Sequence, residues 1–172
     1  MGNNMKKKVD FGNKGFSFVE MIVVVAIFMV LGLITSYGIV VLTSRPVDEC
    51  AKKIQIALEG NRVTTMGKLS ASIEFYLDDE NNVVIKETIN DIPQSETIIG
   101  QNVVSVTVEM AAGTQVDLSK EDDEHIVVQF DRSCGSVKAD ASGNIVCKFI
   151  VSRGDKELTV NLDPLTGRVE VE

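Results

Sequence analysis

Tryptophan is absent from the 172 residues, aromatic side chains make up only 5%, and there is a single histidine, His125. Without Trp, and with Lys and Arg scattered along the chain, there is neither a stacking platform for single strands nor a basic stripe for a duplex. The net charge of −8 and a pI near 4.7 point the same way, because an acidic surface repels a polyanion. No direct nucleic-acid binding is expected. One histidine cannot build a His-pair zinc site, and it cannot supply most His-based acid–base constellations. Three cysteines fall short of a small disulfide scaffold, so an ordinary apolar core must hold a chain of about one domain's length. The chain is expected not to be an enzyme, with no catalytic residue, no cofactor and no metal site.

The apolar residues, 44% of the chain, are unevenly placed. Residues 21–44 carry no charge and open on Met21-Ile22-Val23-Val24-Val25-Ala26-Ile27-Phe28-Met29-Val30-Leu31. As a helix this run spans roughly 36 Å, enough to cross a bilayer. A buried core helix would show a polar stripe on its solvent side, and none is visible before Thr35 and Ser36. The run is therefore expected to sit in membrane lipid. Residues 1–15 carry Lys6, Lys7, Lys8 and Lys14 against Asp10, a net charge of +3, which the positive-inside rule keeps cytoplasmic. The remainder holds 13 basic and 24 acidic side chains, consistent with an acidic head exported to the outside.

Glu20 interrupts the apolar beginning Phe16-Ser17-Phe18-Val19-Glu20-Met21-Ile22. A carboxylate at the mouth of a membrane helix costs on the order of 1–3 kcal/mol, depending on depth. One reading leaves it in the headgroup zone. Another notes that a cut between Gly15 and Phe16 would create an α-amine about 6 Å of helical rise away, a charge partner for Glu20.

Lys14-Gly15-Phe16-Ser17-Phe18-Val19-Glu20, behind a short Lys-rich leader and ahead of a charge-free run, resembles the class III signal of type IV pilins and pseudopilins. It departs from the usual pattern in Ser17, where Thr is commonest, and in Phe18-Val19, where Leu-Ile is usual. The resemblance implies cleavage after Gly15 by a prepilin peptidase, N-methylation of Phe16, and pairing of Glu20 with the Phe16 amine of a neighbouring subunit. It also implies, as partners, other pilin or pseudopilin subunits met through the N-terminal helix, an inner-membrane assembly platform and membrane lipid. The chain would lie in the bacterial cytoplasmic membrane as a single-pass protein with its head outside, and later in a filament. Competing addresses are a conventional signal peptide cut near Ser36-Tyr37-Gly38 and a lipoprotein signal, although the first cysteine is only Cys50.

Beyond the run, Arg45-Pro46 is expected to punctuate the helix. Val47, Cys50, Ile54, Ala57 and Leu58 then recur at helical spacing, with Asp48, Glu49, Lys52, Lys53 and Glu59 opposite. This predicts an amphipathic helix ending near Gly67, with a kink or early stop at Gly60. From Ser70 the period becomes two. Ile73, Phe75 and Leu77, then Val83 and Ile85 after the turn Asp78-Asp79-Glu80-Asn81-Asn82, predict a hairpin. Val104, Val106, Val108 and Met110 alternate, as do Ile126, Val128 and Phe130, and three more apolar segments follow between turn-rich stretches. The fold class expected is α+β and pilin-like: a long N-terminal helix, half transmembrane and half amphipathic, on an antiparallel β head of seven to nine short strands. The expected divisions are a leader over 1–15, the membrane and assembly helix over 16–45 and the head over 46–172, with its helix to about 68 and β structure from about 70.

The closing Leu158-Thr159-Val160-Asn161-Leu162-Asp163-Pro164-Leu165-Thr166-Gly167-Arg168-Val169, after a strand ending in Phe130 and turns with Gly135 and Gly143-Asn144, resembles the H-type pseudopilins and FimT-like minor pilins. Cys134 and Cys147 could bridge across the hairpin their strands suggest, while Cys50 reads as a buried thiol. Glu121-Asp122-Asp123-Glu124 and Asp78-Asp79-Glu80 have calcium-type oxygens but no EF-hand pattern, and read as solvated turns. His125 has no catalytic neighbours and reads as a strand residue. Two functional classes result, a minor pilin or pseudopilin subunit and a single-pass anchored extracellular enzyme or binding module.

Overall fold

A computed structural model describes residues 16–67, 69–118 and 125–172, with side chains 34–44 outside the described set. Gly15 and the acidic run at 121–124 therefore also lie outside it. The protein is α+β. Helix α1 spans Phe18–Met66 and is followed by nine strands among the described residues: β1 Ala71–Leu77, β2 Val83–Ile89, β3 Ile92–Gly100, β4 Ser105–Met110, β5 Gln115–Asp117, β6 Ile126–Gln129, β7 Val146–Arg153, β8 Lys156–Leu162 and β9 Val169–Val171. The chain divides into two compact units, Met1–Val40 and Val41–Glu172.

In the first unit every described side chain from 16 to 33 is exposed, including Phe18, Ile27, Phe28 and Leu33. Among the described residues no helix is long and apolar enough to cross a membrane. Described side chains of the charge-free run stop at Leu33, whereas the run itself reaches Ser44 in the sequence.

In the second unit two antiparallel sheets, ordered β3-β2-β1-β6 and β5-β4-β7-β8-β9, share one core. Period-two alternation sends Ile73 and Phe75 of β1 inward, with Val106 and Val108 of β4 and Phe149 and Val151 of β7. The sheets meet where Phe75 and Phe149 pack with ring centroids 4.8 Å apart, a tilted geometry favoured by aromatic quadrupoles. Val47, Cys50, Ala51, Ile54 and Leu58 of α1 are fully buried in the same core. Lys156 of β8 adds an ion pair to Asp48 at 2.9 Å.

Helix α1 runs unbroken through Pro46 and Gly60, so neither the punctuation expected at Arg45-Pro46 nor an early stop at Gly60 occurs. Pro46 removes one backbone donor. Each large side chain buried on the following turns returns about 1.5–3 kcal/mol, enough to hold the helix. Two strands have no counterpart in the apolar alternation, β3 and the short β5. Strand β3 is an edge exposed along residues 92–98, so Ile92-Pro93-Gln94-Ser95-Glu96-Thr97 has no buried face to advertise.

The C-terminal third contains an internal repeat. Val128-Gln129-Phe130-Asp131 with Gly135-Ser136-Val137 matches Val160-Asn161-Leu162-Asp163 with Gly167-Arg168-Val169. The two copies form the same hairpin. Phe130 pairs with Val137, as Leu162 does with Val169. In each, the glycine N–H donates to the carbonyl of the aspartate, at 2.9 Å in the first and 2.7 Å in the second. The aspartate carboxylate accepts the N–H two residues on, Ser133 in one and Leu165 in the other, both at 2.8 Å. Gly135 and Gly167 sit at φ of 73° and 65°, left-handed values that side chains rarely adopt. One copy extends each sheet, and the Val137 N–H donates to the Pro164 carbonyl at 2.9 Å, tying the pair together. Arg62 of α1 packs against both glycines.

Candidate functional site at the N-terminal segment

The helix begins with a local device. Ser17 sits just before α1, its hydroxyl accepts the Val19 N–H at 3.3 Å, and its carbonyl accepts the first helical bond from Met21 at 3.1 Å. Its own N–H donates back to Glu20 Oε2 at 2.8 Å. This is a Ser-x-x-Glu cap of capping-box type, with the hydroxyl on the Val19 N–H and the Glu20 carboxylate on the Ser17 N–H, and it satisfies donors that the first turn would leave orphaned. The carboxylate also lies in the first turn, where the helix dipole favours negative charge. Glu20 is thus placed by the helix start itself, and Ser17 caps the helix, a role that the sequence reading did not assign. The spacing ahead of an apolar run was its readable signal. Phe16 is 81% exposed and precedes the cap.

The Prokaryotic N-terminal methylation motif matches residues 11–36. The chain carries a prepilin-type signal. The match takes in the Gly15–Phe16 junction, the capping box at Ser17 and Glu20, and part of the charge-free run. No curated protein and no solved structure gives a significant match to the chain.

The remaining candidates are held apart. Cys50, Cys134 and Cys147 are all free thiols, and the bridge considered between Cys134 and Cys147 is not formed. Its premise fails because β6, which leads to Cys134, lies in one sheet and β7, which holds Cys147, lies in the other. Cys134 Sγ meets Ser136 Oγ at 3.2 Å, whereas Cys147 Sγ donates to the Glu109 carbonyl at 3.2 Å. Hydrogen bonding from Ser136 lowers the exposed Cys134 thiol's pKa, and burial pushes Cys50 up to about 12. The Asp78 carboxylate is engaged by its own turn, accepting from Glu80 and Asn82 N–H groups at 2.9 and 2.8 Å. Among the described residues no group of three His, Cys, Asp or Glu side chains could hold a metal.

His125 lies 2.7 Å from Glu74 and stacks on Tyr76 with centroids 5.1 Å apart. This is a cross-strand cluster on the outer face of the sheet, with the Lys86 ammonium 3.7 Å from Glu74. Nothing in it places a nucleophile beside a base.

Proposed function

We propose that the protein is a minor type IV pilin or pseudopilin, a non-enzymatic subunit of a pilus, type II secretion or DNA-uptake system. The observation that carries this is the prepilin signal over residues 11–36. In this reading prepilin peptidase cuts after Gly15, the new terminus at Phe16 is methylated, residues 16–45 anchor and assemble the subunit, and residues 46–172 form its head. A uniformly apolar helix suits both lipid and the packed centre of a helical bundle, so one segment serves storage in the membrane and incorporation into the filament. Glu20 pairs with the Phe16 amine of an adjoining subunit, since a carboxylate removed from water favours an opposite charge within about 4–6 Å.

The α+β head, two sheets over the amphipathic half of a helix, is compatible with such a subunit. The C-terminal hairpin with Thr166-Gly167-Arg168-Val169 favours the H-type and FimT-like members. N-terminal sequencing from cells with an active prepilin peptidase tests the proposal. A mature chain starting at Phe16, and loss of processing in Gly15→Val, are expected. A start near Ile39, or unchanged processing in the variant, would defeat it.

A further inference from the structure

We propose that the cleft between α1 and the end of β3 binds the headgroup of a zwitterionic aminophospholipid, with its phosphate on Arg45 and Lys53 and its ammonium on Glu49. The cleft has a volume of about 320 Å³ and is lined on one side by Arg45, Pro46, Glu49 and Lys53 and on the other by residues 98–101. Arg45, Glu49 and Lys53 fall at four-residue spacing and share one helix face. Gly100 packs against the core beneath, where a Cβ would come within 3.1 Å of Cys50 Sγ, so the polar groups of the cleft are those of the helix face. Lys53 Nζ makes only a long contact with the Ile98 carbonyl, at 3.4 Å, leaving donors to spare. Arg45 and Glu49 have no side-chain partner among the described residues.

Two cations and one anion in a single cleft complement a phosphate joined to an amine better than they complement a simple anion, which Glu49 would repel. Position selects a lipid as the source. Arg45 directly follows the charge-free run, and Lys53 is eight residues on, about 12 Å of helical rise, which begins where the headgroup layer does. The inference rests on the membrane anchor of the proposed function.

The test uses the full chain in nanodiscs of equal phosphatidylethanolamine and phosphatidylglycerol, with native mass spectrometry counting the lipids retained. Preferential retention of phosphatidylethanolamine by about fivefold is expected, the size of one solvent-screened ion pair. Glu49→Gln should shift retention towards phosphatidylglycerol, because the ammonium loses its partner while both cations remain. Arg45→Gln with Lys53→Gln should retain neither lipid, with circular dichroism confirming the wild-type fold. Equal retention in the wild type and Glu49→Gln, or a wild-type preference for phosphatidylglycerol, overturns the headgroup site and leaves the anchor standing. Failure of the chain to enter nanodiscs overturns the anchor and the site with it.

Discussion

Replacing the glycine of the second hairpin measures how closely the twin hairpins are fitted together. Gly167 sits at φ 65°, where an L side chain costs about 1–2 kcal/mol. A Cβ there would also penetrate the Gly135 carbonyl oxygen and lie 3.1 Å from Arg62 Cδ and Nε. The carbonyl is backbone and cannot swing aside, so the hairpins must part, adding about 1–3 kcal/mol of overpacking. Gly143 supplies the control, since it has φ 84° and no atom within 4 Å of an added Cβ. Gly135 is intermediate: its Cβ would approach Arg62 Nε at 2.9 Å and Met66 Sδ at 3.0 Å, both parts of flexible side chains. Gly167→Ala should therefore destabilise by about 2–5 kcal/mol against about 1–2 kcal/mol for Gly143→Ala, with Gly135→Ala between. Urea unfolding of the full chain in detergent, read as midpoint shifts at constant m, gives the comparison. Equal shifts for Gly143→Ala and Gly167→Ala would refute the close approach of the hairpins.

At the N-terminus, Glu20→Gln should keep the helix cap, because Gln also serves in a capping box, whereas Glu20→Ala loses both cap and charge. Both should be cleaved normally yet enter sheared filaments poorly, and wild-type incorporation of Glu20→Gln would remove the charge pairing from the account. Thr65 is 2% exposed and its hydroxyl has no hydrogen-bond partner, so Thr65→Val should raise the melting temperature by a few degrees; a lower value would mean the hydroxyl is bonded in solution. Thiol labelling at neutral pH, followed by peptide mapping, should modify Cys134 first and Cys50 last, because the thiolate is the reactive form; equal rates at Cys50 would contradict its burial. Hydrogen bonds from Ser133 hold Asp131 down at about 2, below the ordinary value near 3.9. Its contribution to stability is thus complete above that ordinary value and lost as pH falls towards about 2. Asp131→Asn should flatten the acid limb of the unfolding curve, and an unchanged limb would remove Asp131 from the acid response.

The buried elements were legible because burial leaves a period in the sequence. Ile73-Glu74-Phe75 and Val106-Thr107-Val108 alternate as half-buried strands must, and Val47, Cys50, Ile54 and Leu58 mark the helix face that closes the core. Elements lacking a buried face left no such mark, which is why the edge strand β3 went unseen. Pro46 and Gly60 misled in the opposite sense, since their local penalties are smaller than the burial on neighbouring turns. The repeat is legible as paired Asp-x-x-x-Gly-x-Val segments. Cys134 and Cys147 are thirteen positions apart, close enough to suggest one hairpin, yet the chain changes sheet between them.

The local capping role of Glu20 bears on how an assembly contact can be made without disturbing the helix. A carboxylate has two oxygens with about four lone-pair directions, and Ser17 N–H occupies only Oε2. The other oxygen can accept an ammonium while the cap stays closed. A side chain drawn wholly away to a neighbour would instead leave the Ser17 N–H unpaired, and in a helical bundle that loss would follow the subunit out of water, where an unmet donor costs about 1–3 kcal/mol. The capping geometry also fixes Glu20 in the first turn, so the carboxylate is already positioned before any partner arrives and less side-chain freedom is lost on pairing. Ser17 is accordingly part of the proposed assembly contact without touching the neighbour: it holds the carboxylate that does.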